Sequence, residues 1–260
     1  MILKILMLGD VVRGNGIRYL ASGGRLRSFV RENGVSLTVA NGENSADGNG
    51  MTPSSFGELI DAGCDVVTGG NHTFRHRDVY SLLDDDPRAL RPANVYGGAP
   101  GTGYLVADAG GASVLVVNLI GQVFMDPSNS PFEALEKILR REEGNYDAAV
   151  VDFHAEATSE KLALARKFDG RVAAVAGTHT HVMTADCAVL PGGTGYITDL
   201  GMTGSQSGVL GIKTECVIRK FTEGIPVKFE GSDGGERASG AIFGVDTGTG
   251  LCVSAQPVIF

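Results

Sequence analysis

Eight side chains in this sequence have the types and positions to do chemistry together: Asp10, Glu43, Asn44, Asn71, His72, His154, His179 and His181. Each stands just beyond a short apolar run that reads as a β-strand. Four of the chain's five histidines belong to this set. Imidazole and carboxylate together suit Mn, Fe, Zn, Ni or Co, whereas thiolate-only sites suit other metals. Two ions a few ångströms apart need one bridging carboxylate, and Glu43 is the natural choice. Extended backbone would point His179 and His181 the same way, but a turn could aim them at two neighbouring ions. Taken singly, each residue has a blander explanation. Asp10 fits a turn or N-cap, Asn44 and Asn71 fit loop hydrogen bonding, and His154 fits a core histidine. Five strands delivering such groups to one sheet edge is not what packing alone produces.

The elements that must position these groups alternate strand and helix over the first two-thirds of the chain, the pattern of an α/β layer structure. Leu3–Leu8 is a strand, followed by a helix to about Asn33 that Gly34 stops. Leu37–Ala40 ends in Asn41-Gly-Glu-Asn44. Thr52-Pro53 opens a helix that Gly63 closes, and Asp65–Thr68 runs into Gly69-Gly-Asn-His72. Tyr104–Asp108 and Ser113–Leu119 flank Gly110-Gly111 as a hairpin. Pro131 opens a helix to about Arg141. Ala148–Phe153 ends at His154, with a helix capped near Thr158 or Ser159 after it. Val172–Ala176 ends in Gly177-Thr-His-Thr-His181. Beyond about residue 185 the short strands and turns read as antiparallel sheet. No linker or repeat divides the chain, so residues 1–260 read as one domain.

Bulk properties narrow the function. The 260 residues carry a formal net charge of -8 and no basic run, which argues against stable nucleic-acid binding. An acidic protein acting on phosphates needs local positive charge, and metal ions would supply it. The four cysteines are scattered without a Cys-x-x-Cys pair, as expected of free thiols in a reducing compartment. The apolar start is too short for a membrane span and lacks a charged lead, so the protein reads as cytoplasmic, without a membrane partner. Gly9–Gly16 does not match the dinucleotide-binding glycine spacing.

Five motifs, in this order, carry a resemblance. They are Gly9-Asp10, Asn41-Gly-Glu-Asn44, Gly70-Asn71-His72, Asp152-Phe-His154-Ala-Glu-Ala-Thr-Ser159 and Gly177-Thr-His-Thr-His181. Together they resemble the calcineurin-like metallophosphoesterases, and more narrowly the YmdB-like branch, which hydrolyses 2′,3′-cyclic nucleotides. The resemblance implies two packed mixed β-sheets flanked by helices, a four-layer αββα fold. It implies two divalent ions, with Fe or Mn ahead of Zn or Mg. Asp10, Glu43, Asn44 and His181 would hold one, and Glu43, Asn71, His154 and His179 the other. Val12 stands where the wider superfamily has a His, and Asn44 would fill that place.

His72 would stay off the metals and give a proton to the leaving oxygen, an effect typically of about 10²–10⁴-fold. A hydroxide bridging the ions would attack phosphorus in line. The implied partner is a nucleotide or other small phosphodiester, with a homo-oligomer left open. The alternatives are a broader phosphodiesterase or phosphomonoesterase on the same site, or a regulatory phosphate-binding protein with little turnover. Arg13, Phe74-Arg75 and Gln122 depart from the branch's usual Gly, Trp-Asp and Arg, and bear on substrate preference. His76, in Arg75-His-Arg77, reads as a surface residue. Asp199 and Thr203 read either as supports of the site or as turn residues.

Overall fold

Near-continuous apolar runs in the central strands, buried on both faces, and one-sided apolar stripes on the helices build two sheets with helices outside them. The computed structural model describes all 260 residues. One sheet has the order β13 (Leu251–Ile259), β12 (Ser239–Asp246), β1 (Ile2–Leu8), β3 (Leu37–Asn41), β4 (Val66–Thr68). The other has the order β5 (Tyr104–Asp108), β6 (Ser113–Ile120), β7 (Ala148–His154), β8 (Ala174–Thr178), β10 (Gly195–Ile197), β9 (Ala188–Val189). A short parallel ribbon pairs β2 (Asp10–Val11) with β11 (Met202–Thr203). Both large sheets are mixed: β1, β3 and β4 are parallel, as are β6, β7, β8 and β10, while β12, β13, β5 and β9 run antiparallel to their neighbours.

The central core lies between the sheets, where Ile5, Met7 and Val39 meet Val114, Val116, Val150 and Phe243. Outside the first sheet pack α1 (Arg13–Ala21), α2 (Arg25–Asn33), α3 (Pro53–Ala62) and α4 (Val79–Asp85), through Ile17, Leu20, Leu26, Phe56, Leu59 and Leu83. Outside the second pack α5 (Pro131–Arg141) and α6 (Thr158–Lys167), through Leu135, Leu139 and Leu164. The expected four-layer order of helices, sheet, sheet and helices is therefore present. Alternate residues of one strand face the two cores, as Leu6 and Met7 do, because side chains in a strand alternate sides.

Several boundaries differ from expectation. The first helix is two helices, broken at Ser22-Gly23-Gly24, where both glycines take positive φ. The strand expected at Val172–Ala176 lies at Ala174–Thr178, closer to the histidines it serves. The C-terminal third is not all antiparallel, since β10 pairs parallel with β8. It also contains a helix missed in sequence, α7 (Thr214–Glu223), which buries only Val217 and leaves Ile218 and Phe221 of its apolar stripe exposed. No side chain caps α6; its Glu160 instead accepts the backbone N–H groups of Gln122 and Val123. The thiols of Cys64, Cys187, Cys216 and Cys252 are all free. No helix is long and apolar enough to cross a membrane.

Candidate metal centre

All eight singled-out side chains come together at one edge of the two sheets. Asp10 is the first residue of β2, Glu43 and Asn44 follow β3, and Asn71 and His72 follow β4. His154 is the last residue of β7 rather than the first beyond it, and His179 and His181 follow β8. The chain reaches this edge through close backbone contacts that only glycine permits. A Cβ at Gly9 would overlap the Gly201 carbonyl, and one at Gly70 would overlap Glu43 and His154.

The atoms form two overlapping groups that share Glu43. In the first, His154 Nε2 lies 2.9 Å from Asn71 Oδ1, 3.0 Å from His179 Nδ1 and 3.4 Å from Glu43 Oε1. In the second, Asn44 Nδ2 donates to Asp10 Oδ1 at 3.3 Å and to Glu43 Oε1 at 2.8 Å, and lies 3.2 Å from His181 Nε2. His181 Nε2 is 3.5 Å from Asp10 Oδ1. Asn44 thus turns its nitrogen toward the group, and would offer an ion its oxygen only with the amide turned over. His179 and His181 both have positive φ, 107° and 66°. The backbone turns between them, so one faces His154 and the other faces Asp10; of the two arrangements open from sequence, the turned one is adopted.

His72 touches the cluster through Glu43 alone. Its backbone N–H donates to Glu43 Oε2 at 2.8 Å, its Nδ1 lies 3.1 Å from Oε1, and its Nε2 faces Asn49 at 3.5 Å. The Glu43 hydrogen bond, more than the opposing burial, pushes the imidazole above its ordinary value. Burial would raise the Asp10 carboxyl, but His181 and His154 reverse this and hold it below the carboxylate range. Burial, then His154, pushes the His179 ring down to about 4, so it is neutral at pH 7 with a lone pair to give.

Behind the cluster lies a network that the sequence did not reveal. Thr178 Oγ1 donates to Asp152 Oδ1 at 2.7 Å, so its single proton is used, and it must accept from His154 Nδ1 at 2.9 Å. Asp152 also accepts from Thr68 Oγ1 and from Asn41 Nδ2. Its signal in sequence was a lone carboxylate in the all-buried strand Ala148–His154. On the other side, Lys161 Nζ donates to the Thr178 carbonyl and to Asp199 Oδ2, both at 2.9 Å. Asp199 in turn accepts Thr180 N–H at 3.0 Å and Gly201 N–H at 2.9 Å. Of the two readings of Asp199, it therefore supports the histidine loop. Glu156 Oε2 lies 3.2 Å from His179 Nε2. His76 is half-buried rather than a free surface residue, with Nε2 donating to the Asn49 carbonyl at 2.8 Å.

This hydrogen bonding tests the fit to a cation. His154 Nδ1 faces Thr178 and holds its proton there, so Nε2 is the atom that could offer a lone pair to an ion, beside the oxygens of Asn71 and Glu43. With Glu156 at the outer nitrogen of His179, the inner His179 Nδ1 converges with His154 Nε2 and the oxygens of Asn71 and Glu43, the nitrogen and oxygen donor set that a cation takes. Glu43, His154 and His179 place one donor atom each within 4.8 Å of one another. His181 Nδ1 is buried with no hydrogen-bond partner. These residues fit a metal.

Comparison with known proteins agrees with this chemistry. Residues 6–258 match the sequence profile of a family described as YmdB-like protein. The 2′,3′-cyclic-nucleotide 2′-phosphodiesterase of Bacillus subtilis (strain 168) is 39% identical over 265 residues, covering 99% of this chain and 97% of that enzyme. A crystal structure of a hypothetical protein from Thermus thermophilus superposes with a TM-score of 0.91 at 41% identity, covering 99% of each chain. A novel phosphatase from Mycoplasma pneumoniae superposes with a TM-score of 0.92 at 32% identity, covering 100% of this chain and 94% of that one.

Proposed function

Because the chain belongs to the YmdB-like family of metallophosphoesterases, we propose that it hydrolyses 2′,3′-cyclic nucleotides to 3′-nucleotides at a dinuclear metal site. Asp10, Glu43, Asn44 and His181 would hold one ion, and Glu43, Asn71, His154 and His179 would hold the other. The nitrogen and oxygen donors suit Fe or Mn first, with Zn or Mg also accommodated. When bound, such ions polarise phosphate oxygens and acidify water. The observation that supports this reading is His154 Nε2 set among the oxygens of Asn71 and Glu43 while Nδ1 is held by Thr178.

Water adds to phosphorus and gives up a proton to solvent, from which His72 is reprotonated; the bond to ribose O2′ breaks, and O2′ takes a proton. His72 delivers that proton. Glu43 fixes its ring through Nδ1, which leaves Nε2 on the side of Asn49 and the cleft. The Thr178–Asp152 pair keeps the His154 proton on Nδ1, and Glu156 holds the outer nitrogen of His179. The whole chain, residues 1–260, acts as one domain, and its unpaired thiols suit a reducing compartment, the cytoplasm.

Turnover of 2′,3′-cyclic AMP by protein purified without chelator tests the reading, with the product identified by chromatography. The expected product is the 3′-nucleotide, formed at least about tenfold more efficiently than p-nitrophenol from p-nitrophenyl phosphate, a margin of about 1.4 kcal/mol. Comparable rates on the monoester would make the protein a broader phosphoesterase. Metal without turnover of either would make it a regulator. His72→Ala should retain its metal and lose about 10²–10⁴-fold on the cyclic nucleotide. The loss on bis-p-nitrophenyl phosphate should be far smaller, because p-nitrophenolate departs without a proton. Equal losses on both would assign His72 to phosphate positioning.

A further inference from the structure

Beside the cluster lies a cleft of 460 Å³, which Glu43, Asn44, His72, His179 and His181 line on one side. Two arginines, Arg13 and Arg75, share that lining. Arg13 is the unusual one. It opens α1 with a φ of 57°, a conformation that disfavours any residue with a Cβ, and its N–H donates to the Asn44 carbonyl at 2.8 Å. Its side chain is only 15% exposed, yet its guanidinium makes no hydrogen bond within the chain. Its one charged neighbour, Asp47, is 3.6 Å away and 91% exposed. With no hydrogen bond inside the chain, its five N–H donors remain available to an anion in the cleft. The stem is held in place, since a Cβ on Gly231 would come within 3.0 Å of Arg13 Cδ.

The phosphate under attack already has its partners in the metal ligands and His72. Both guanidinium groups are additional to that need. Phe229 adds an aromatic surface to the same cleft, suited to a nucleobase. We propose that Arg13 and Arg75 form a second anion seat, so that the preferred substrate is a 2′,3′-cyclic nucleotide carrying a further phosphate, as on its 5′ oxygen. This rests on the cyclic-nucleotide reading, and the experiment below separates the two.

Metal-loaded protein is titrated calorimetrically with adenosine 3′,5′-bisphosphate and with adenosine 3′-monophosphate. In parallel, kcat/KM is measured for 2′,3′-cyclic AMP with and without a 5′-phosphate. The bisphosphate should bind about 10- to 100-fold more tightly, the usual range for a charge-assisted hydrogen-bonded pair, and kcat/KM should follow. Arg13→Met preserves the stem and should bring both ratios close to one while leaving metal content unchanged. Arg75→Met, at an exposed position, should lower them in part and serves as the second probe if Arg13→Met does not fold. Ratios near one in the unaltered protein, or ratios unchanged in both variants, overturn the proposal. So does an equal loss on both ligands in Arg13→Met, which would place Arg13 on the phosphate being hydrolysed. A preserved binding ratio without cyclic-nucleotide turnover would instead overturn the reading of the reaction and leave the seat standing.

Discussion

Glu43→Ala should leave the purified protein without bound metal and reduce phosphodiester turnover by about 10⁴-fold or more, a large part of a typical enzymatic rate enhancement. The expectation follows from the position of this carboxylate, which alone belongs to both groups of donor atoms. Oε1 lies 3.4 Å from His154 Nε2 and accepts from Asn44 Nδ2 at 2.8 Å, while Oε2 accepts the His72 backbone N–H. Its removal takes a donor from each ion and also frees His72. Fewer oxygen and nitrogen donors would remain for each ion, and no neighbouring carboxylate could bridge them, since Asp10 is committed to His181 and the His179 N–H. Elemental analysis checks the claim directly. Glu43→Ala with full metal occupancy would rule Glu43 out as the bridge. Folding should survive, because Glu43 lies in the loop after β3 and the core strands are untouched.

Lys161→Met should have the largest effect on stability. Lys161 and Asp199 are both fully buried and lie 2.9 Å apart. Removing one member of such a pair leaves an unmatched charge in the interior, which typically costs about 3–5 kcal/mol. At roughly 2–4 °C per kcal/mol for a chain of this size, the midpoint of thermal unfolding should fall by about 6–20 °C. The same pair holds both sides of the histidine loop, through the Thr178 carbonyl and the Thr180 N–H. Metal affinity should therefore fall too, by about 10–100-fold, as for other groups that orient ligands. Adding Asp199→Asn should recover part of the stability by removing the stranded charge while keeping an oxygen for Thr180. A Lys161→Met protein with an unchanged midpoint would show that the pair contributes nothing net.

The difference between what could and could not be read in sequence follows from distance along the chain. Asp10, Glu43, Asn71 and His154 were visible because each follows or ends an apolar run, and strand ends of a parallel layer converge on one edge. The face-to-face packing of the sheets was implied by the resemblance that the five motifs carry, and the strand runs themselves showed only an α/β layer structure. His179 and His181 were visible as residues, but their two directions depend on positive φ values set by contacts with residues around 199. Asp152 with Thr178, and Lys161 with Asp199, are pairs 26 and 38 residues apart on different elements. Nothing local to Lys161 distinguishes it from the solvated lysines of an ordinary helix. The parallel placement of β10 likewise depends on a neighbour, β8, rather than on its own three residues.

The central position of β1 has a consequence for how the molecule is made. This strand pairs on one side with β3, close behind it, and on the other with β12, in a register that joins Ile2 to Asp246. A ribosome releases β1 and Asp10 early and β12 almost last, so the sheet waits with one flank of its middle strand unpaired. Contacts so far apart in sequence form slowly, and until they do the exposed edge invites pairing with other chains. Glu43 and Asn71 stand on loops of this sheet and Asp10 closely follows its middle strand, so their spacing is not fixed before the β12–β13 hairpin docks. Metal capture at the proposed site would then be a late event in the protein's life, and a cell short of the ion would accumulate finished, empty chains rather than arrested ones.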